Sequence, residues 1–153
     1  FTSELKRAQD TAKIILENLS QWDELNEKGK IIKNINLNER DYGDLTGLNK
    51  QETADKFGEE QVHKWRRGYS DQPPNGESLE DVVARVRSYF DEVIFKEIQN
   101  NDNHNILIAA HGNSLRALLI VMNIYSPNEI NSVELSTGVP IHVLFDNNQF
   151  SIK

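Results

Sequence analysis

His111, Gly112 and Asn113 stand between two apolar segments, at the kind of position where α/β proteins bind ligands. The continuous apolar run at 106–110 predicts a strand buried in a largely parallel sheet, and an apolar helix is predicted from 114 to about 122. Free N–H groups at a helix N-terminus bind anions, and glycine lets a ligand approach the backbone. The turn therefore predicts a phosphate site with His111 at its mouth. A histidine that only ends the strand is the alternative.

Four further charged residues are candidates with weaker local support. Arg7 lies in the first turn of a predicted helix, where a cation is unfavourable unless an anion binds there, although a solvated arginine fits the position about equally well. Arg66 and Arg67 end a predicted helix, where cations are favourable, so position alone indicates ordinary helix-end charges. Glu39 lies in a turn beside an arginine and a tyrosine that could tune its carboxylate for acid–base chemistry. An exposed turn residue is the simpler interpretation.

The other three histidines carry no comparable signal. His63 lies among charged helical residues, His104 in an Asn/Asp turn and His142 in an alternating strand pattern. Their spacing predicts no metal site. The chain has no cysteine, so a disulfide framework and a Cys-based zinc or redox site are excluded.

Helices and strands alternate in the elements that must position these residues. Helical patterns predict a helix capped by Ser3 and continuing to residue 19, followed by two short helices at 49–58 and 59–67. They also predict a long helix that begins with a capping box at Ser78 and continues through residue 98, and another helix start at Ser126. Alternating patterns predict strands at 31–37 and 139–145, the second turning at 146–148 into a last strand. The order predicts a single-domain, three-layer α/β sandwich, with a mostly parallel central sheet and helices on both faces.

Composition narrows the classes of partner. With 17 Lys+Arg against 24 Asp+Glu the formal charge is −7, which argues against binding to nucleic acid. The apolar runs are too short to cross a membrane, so a soluble, cytoplasmic protein is expected. The chain opens at Phe1 and its only methionine is Met122. Phe1 and Thr2 are therefore expected to end a strand whose beginning is missing.

Nine short sequence words occur in an order that is specific to one family. They are Phe1-Thr-Ser-Glu-Leu-Lys-Arg-Ala, Leu37-Asn-Glu-Arg-Asp-Tyr-Gly, Gly47-Leu-Asn-Lys, Phe57-Gly-Glu-Glu-Gln-Val, Trp65-Arg-Arg, Pro73-Pro, Gly76-Glu-Ser-Leu, Ala109-Ala-His-Gly-Asn-Ser-Leu-Arg-Ala and Thr137-Gly-Val-Pro. Over nearly its whole length the chain resembles the 2,3-bisphosphoglycerate-dependent phosphoglycerate mutases of the histidine phosphatase superfamily.

The resemblance implies interconversion of 3-phosphoglycerate and 2-phosphoglycerate in glycolysis and gluconeogenesis. The implied mechanism uses a phosphohistidine enzyme primed by 2,3-bisphosphoglycerate, without a metal. Glu39 is implied as the proton donor and acceptor, and His111 as the group that stabilises the phosphoryl group in the transition state. The implied substrate-binding residues are Arg7, Glu39, Arg40, Asp41, Tyr42, Lys50, Arg66, Arg67, Gly112 and Asn113.

Three features depart from the family's pattern. Asp41 stands where the family usually has a histidine, so the contacts of that side chain do not carry over. The loop after Pro73 passes directly to Gly76 and Glu77, as in the compact branch that lacks a long insertion. The family's opening strand and its Arg-His-Gly turn have no counterpart in this chain. In the family that turn carries the histidine that is phosphorylated, and none of the four histidines here matches it. The chain alone is therefore expected to be inactive.

The resemblance leaves two other functions open. One is a phosphomonoester phosphatase of the same superfamily, in which water accepts the phosphoryl group. The other is a non-enzymatic phosphate-binding remnant. Family likeness also implies a homodimer or homotetramer, with small-molecule phosphoglycerates as the ligands and with no nucleic acid or membrane partner.

Overall fold

Helices make up most of the regular structure in residues 1–100 and 105–153, the part of the chain that the computed structural model describes, apart from the side chain of Lys50. The α-helices are α1 (Lys6–Asn18), α2 (Trp22–Glu27), α3 (Lys50–Phe57), α4 (Glu59–Arg67), α5 (Leu79–Tyr89), α6 (Phe95–Asn100) and α7 (Gly112–Val121). A π-helical turn (Phe90–Ile94) joins α5 to α6, and three 3-10 helices lie at Ile35–Leu37, Gly43–Leu45 and Ile130–Ser132. Strands β1 (Val143–Asp146) and β2 (Gln149–Ile152) form an antiparallel pair.

Parallel pairing centres on Thr2, which forms isolated bridges with Lys33 on one side and Ala109 on the other. The Thr2 N–H donates to Ile32 O at 2.9 Å, and the Ala109 N–H donates to Phe1 O at 3.0 Å. The predicted strands at 31–37 and 106–110 are thus reduced to these bridges among the described residues. The first ends early because the Asn34 side chain accepts the Asn36 N–H at 2.9 Å and starts a 3-10 helix.

Three predicted helix starts need correction. Helix α1 begins at Lys6, not beside Ser3, and Leu5 takes the cap position without a side-chain hydrogen bond, while the Ser3 hydroxyl contacts His111 and accepts the Leu5 N–H. Helix α7 begins at Gly112, with His111 at its cap position, so Ser114 lies inside the first turn. Near Ser126, only a turn and a 3-10 helix follow, although its N–H and hydroxyl both donate to the Glu129 carboxylate as at a helix start.

The predicted capping box at the start of α5 is confirmed. Ser78 Oγ accepts the Asp81 N–H at 3.1 Å, and the Asp81 carboxylate accepts the Ser78 N–H at 2.8 Å. Helix α5 packs against α7 in the main hydrophobic core, where Val82, Val86 and Ala117 are fully buried. Each fully buried aliphatic side chain such as Val82 contributes on the order of 1.5–3 kcal/mol. This pair of helices is the rigid frame behind the site.

The predicted turn at 146–148 is also confirmed. Asn147 and Asn148 both have positive φ angles, 48° and 60°, which suits the tight turn between β1 and β2. Phe145 and Phe150 face each other across the pair, with ring centroids 4.6 Å apart and the ring planes tilted by 34°, and Phe95 of α6 packs against both. Among the helices in the described ranges, none combines the length and apolar character needed to span a membrane.

Candidate active site

His111 is buried at the start of α7, with 8% of its surface exposed. Its Nε2 lies 2.8 Å from Ser3 Oγ, which also accepts the Leu5 N–H at 3.1 Å. Burial and then the positive charge of Arg7 lower the pKa of His111, while the Glu39 carboxylate opposes this and Arg85 lowers it slightly further. The neutral imidazole is therefore favoured when no anion is bound.

The structure brings the Glu39 carboxylate to the His111 turn. Glu39 Oε1 accepts the Arg40 N–H at 2.8 Å and the Asn113 N–H at 3.2 Å. A Cβ added to Gly112 would lie 3.4 Å from Arg116 Nη1 and 3.9 Å from Glu39 Oε2, both ordinary contact distances, which places Gly112 next to the carboxylate. The first turn of α7 thus holds a carboxylate through the N–H of Asn113, in keeping with the anion-binding character of a helix N-terminus.

Arg40 is 3% exposed, and its guanidinium is tied to backbone carbonyls rather than lying open to solvent. Its Nε donates to Glu77 O at 2.7 Å, and its Nη2 donates to Trp65 O at the end of α4 and to Asp71 O at 3.4 Å. Burial lowers the pKa of Arg40, and the nearby Tyr42 and acidic groups oppose this. Arg40 therefore joins α4 to the Glu39 turn.

Two adjoining cavities, of about 1130 and 550 Å³, share the side chains of Arg40, Tyr42 and Arg66. The Arg40 and Arg66 guanidinium carbons lie 4.9 and 5.9 Å from the centre of the Tyr42 ring. The Arg66 Nε is buried and has no hydrogen-bond partner among the described residues. Two cations on one aromatic ring, one with a spare donor, form a wall suited to an anionic ligand.

The remaining predicted residues divide between the two cavities. Arg7, Glu39 and Asp41 line the smaller one, whereas Arg67 and Asn113 line the larger one. The Asn113 Nδ2 lies 3.4 Å from Tyr42 Oη and joins the two walls. Asp41 is exposed and shapes its own turn, because its Oδ1 accepts the Gly43 N–H at 2.8 Å. His111 and Gly112 are not among the residues that line the two cavities.

Two predicted residues fall outside what the structure describes. These are the side chain of Lys50 and the whole of His104. Of the other histidines, His142 is exposed, and His63 is exposed at the larger cavity. No group of three or more His, Cys, Asp or Glu residues within 1–100 and 105–153 could hold a metal ion.

Sequence reasoning missed three residues that support the site. Ser3 was interpreted as a helix cap, but its hydroxyl contacts the His111 ring. Arg85 and Glu77 form an ion pair at 2.8 Å next to the Glu39 turn. The only signal for Arg85 was a charged residue set within the apolar stripe of α5, between Val83 and Val86.

The family model described as histidine phosphatase superfamily (branch 1) matches residues 1–153, the whole chain. The chain belongs to this superfamily. It is 51% identical over 141 residues to a protein named 2,3-bisphosphoglycerate-dependent phosphoglycerate mutase from Methylocella silvestris, and 53% identical over 142 residues to a protein of the same name from Bradyrhizobium sp.. Each alignment covers 92% of this chain and 65% of the relative, so the chain spans just under two thirds of their length.

A solved structure shows the same fold. The α-ribazole phosphatase from Shigella flexneri is similar with a TM-score of 0.74 and 22% sequence identity, covering 99% of this chain and 69% of that one. The predicted α/β, phosphoglycerate mutase-like fold class of this superfamily member is therefore confirmed. Within the described residues, parallel pairing is limited to the two bridges of Thr2, and the sheet that forms is the antiparallel β1–β2 pair.

Proposed function

We propose that this chain provides the binding and acid–base side of a 2,3-bisphosphoglycerate-dependent phosphoglycerate mutase. The observation that carries the proposal is the Glu39 carboxylate, held by the Asn113 N–H at 3.2 Å beside His111 and next to cavities lined by arginines. Relatives of that name, about half identical in sequence, support it. The whole protein's reaction would be the interconversion of 3-phosphoglycerate and 2-phosphoglycerate.

In this proposal each residue has a separate task. Glu39 takes the proton from the hydroxyl that accepts the phosphoryl group, and returns a proton to the oxygen that loses it. His111 stabilises the charge of the phosphoryl group as it transfers, since an anion placed beside a neutral imidazole favours its protonated form. The phosphates and carboxylate of the substrate are assigned to the cationic walls, with Arg7 in one cavity and Arg67 in the other.

The residues present fit the priming phosphate donor, 2,3-bisphosphoglycerate, by charge. This molecule carries two phosphates and a carboxylate. Arginines line both cavities, and the wall that the cavities share includes the buried Arg66 Nε, a donor without a hydrogen-bond partner among the described residues. When bound, it would supply the phosphoryl group that primes the nucleophilic histidine. We assign that histidine to an Arg-His-Gly turn outside these 153 residues, in a protein that assembles as a homodimer or homotetramer and requires no metal.

A phosphomonoester phosphatase is the second candidate. It is favoured by the names of structural neighbours, which include α-ribazole phosphatase and mycobacterial glucosyl-3-phosphoglycerate phosphatase. In that case water would accept the phosphoryl group, and the same Glu39 and His111 would act on water and phosphate. The Trp65-Arg66-Arg67 and Asn38-Glu39-Arg40 words favour the mutase.

Binding and turnover separate these functions. We expect the 153-residue chain to bind 3-phosphoglycerate in a calorimetric titration, and Arg66→Gln to weaken this binding about tenfold or more through loss of charge-assisted hydrogen bonds. Lys64→Gln is the control, because Lys64 is an exposed cation on the same helix, paired with Glu60. Equal weakening by both substitutions would contradict a specific site at Arg66.

Turnover is measured on the same preparation and on the full product of its gene. We expect no mutase activity from the 153 residues alone, and turnover that depends on 2,3-bisphosphoglycerate from a product that contains the nucleophilic turn. Mutase turnover by a homogeneous 153-residue sample would contradict the assignment of the nucleophile. Release of inorganic phosphate at the same rate with and without 2,3-bisphosphoglycerate would favour the phosphatase.

A further inference from the structure

We propose that Arg85 and Glu77 are positioning residues that hold the Glu39 segment, residues 36–41, in its working geometry. Neither side chain is among those that line the two cavities. Both are largely buried, with 19% and 27% of the side chain exposed. Apart from each other and the Arg40 side chain, their partners are the backbone on both sides of Glu39, so they contact the chain that carries the carboxylate and not the carboxylate itself.

One guanidinium, that of Arg85, fixes the first part of the Glu39 segment. Its donors reach three backbone carbonyls that lie close together along the chain: Asn36 O at 2.7 Å, Asn38 O at 3.1 Å and Glu39 O at 3.4 Å. These partners lie 46 to 49 residues away in sequence. A rigid planar fork suits this task because its donors keep a fixed mutual geometry.

Glu77 fixes the end of the segment and is itself held by Arg85. Its two carboxylate oxygens accept Arg85 Nε at 2.8 Å and Nη2 at 3.0 Å, a two-point pairing. Its Oε2 also accepts the Asp41 N–H at 2.9 Å. The Glu77 backbone adds an N–H bond to Asp41 O at 2.8 Å and accepts Arg40 Nε at 2.7 Å. The segment is thus gripped on both sides of Glu39.

Arg85 and Glu77 connect the Glu39 segment to α5, and α5 packs on α7, the helix that follows the His111 turn. Arg85 lies on α5, whose neighbours Val82 and Val86 are fully buried in the core. Helix α5 packs on α7, and the first turn of α7 presents the Asn113 N–H to the Glu39 carboxylate. The two sides of the contact at 3.2 Å are therefore both fixed by one helix pair. Placement of this accuracy matters because a 1 Å displacement of a catalytic group can cost about 10²-fold in rate.

Stability alone does not account for this arrangement. A partly exposed ion pair stabilises a fold by on the order of 0–1 kcal/mol. A single contact between one donor and one acceptor would be enough for that contribution. Here Arg85 makes three hydrogen bonds to backbone carbonyls of residues 36–39 and two to the Glu77 carboxylate, while Glu77 makes two to the Asp41 backbone and one to the Arg40 side chain. The geometric part of the inference stands on these contacts, and only its catalytic consequence rests on the proposed proton transfer by Glu39.

The Asn113 amide gives a direct readout that needs no enzymatic activity. In a ¹H–¹⁵N NMR titration of the 153-residue chain, this amide should shift with the ionisation of the Glu39 carboxylate that accepts its hydrogen bond. In Arg85→Gln we expect that shift to be lost and hydrogen exchange at the Asn113 amide to accelerate about tenfold, as expected for loss of one such hydrogen bond. Arg85→Lys and Glu77→Gln should give intermediate effects.

Arg87→Gln is the matched control, because Arg87 is an exposed arginine on the same helix. It should leave the Asn113 titration unchanged. If Arg85→Gln does not fold, Arg85→Lys and Glu77→Gln decide the question. Variants that fold but keep the full Asn113 titration would overturn the proposal, including variants that only unfold at lower denaturant concentration.

Turnover adds a second, separable readout. In a full gene product with mutase activity, Arg85→Gln should lower kcat about 10²-fold and leave KM within about twofold, since Arg85 does not contact substrate. A rise of the same size in KM, with kcat unchanged, would contradict the positioning of Glu39 by Arg85. If the parent protein shows no mutase turnover, the proposed function fails, while the NMR result still tests the positioning role.

Discussion

The buried and exposed sides of the site are built in different ways. On the buried side, Arg40 and His111 already have partners within the chain: backbone carbonyls for the arginine and the Ser3 hydroxyl for the imidazole. On the exposed side, Arg7 and Arg67 reach the cavities from helix ends at the surface. The buried residues therefore owe their positions to the fold, whereas the exposed arginines can follow a ligand. Substitutions on the two sides should have different consequences for stability.

Arg40→Met should lower the free energy of unfolding strongly. It leaves the carbonyls of Trp65 and Glu77 without their donor, and each buried group that loses its partner costs about 1–3 kcal/mol. We therefore expect a loss of about 2–4 kcal/mol. The measurement is urea denaturation followed by the fluorescence of Trp65 and Trp22.

Arg67→Met is the control for that comparison. Arg67 lies at the end of α4 and, unlike Arg40, is exposed. Its replacement should therefore change the free energy of unfolding by no more than about 0.5 kcal/mol. Similar losses for the two variants would show that Arg40 does not act as an internal tie.

Two glycines sharpen the same contrast. Gly43 has φ +54°, and a Cβ there would lie 2.2 Å from Pro74 O and 2.4 Å from Gly76 N, so backbone would have to move. Gly47 has φ +78° but nothing within 4 Å of such a Cβ. Gly47→Ala should cost only the conformational strain, about 1–2 kcal/mol, and Gly43→Ala should cost about 1–3 kcal/mol more from the clash. Thermal unfolding measures both, and equal losses would contradict the tight packing of this turn.

Local signals in the sequence predicted part of the fold well. The capping box of α5 needs only Ser78 and Asp81, three residues apart, and the β1–β2 turn needs only two adjacent asparagines. Ser3 shows where local reasoning fails. Its residue type fits a helix cap and its hydroxyl accepts the Leu5 N–H, but the helix begins at Lys6 and the same hydroxyl contacts His111, 108 residues away. Cap preference is a local property and carries no information on such a distant partner.

The family motifs in the sequence contain the candidate site residues. They do not identify the residues that hold these site residues in place. Glu39, His111 and Asn113 occur in specific motifs, and the structure brings them together. Arg85 has no local signature, because all three of its carbonyl partners lie more than 40 residues away in sequence. Periodicity describes which face of a helix is apolar. It does not reveal which distant backbone a charged residue within that face will bind.

The smallest expected effect links the two sides through charge. The pKa of His111 lies below its ordinary value of 6.5, chiefly through burial and then through Arg7. The unfolded chain therefore takes up the proton more readily, so the free energy of unfolding is highest above pH 6.5 and falls as the pH drops through the pKa of the folded state. Arg7→Gln should raise the pKa of His111 and reduce this loss at acid pH. NMR titration of the His111 ring measures the change.

Lys6→Gln tests whether this effect is specific to Arg7. Lys6 is the neighbouring exposed cation on α1, but its ammonium is paired with Asp10 at 2.9 Å and it is not among the causes that shift the pKa of His111. Its removal should leave the His111 titration in place. An equal rise in both variants would indicate a general field from α1, and no rise in either would mean that burial alone sets the pKa. Only a rise confined to Arg7→Gln supports direct coupling between an exposed cation and the buried imidazole.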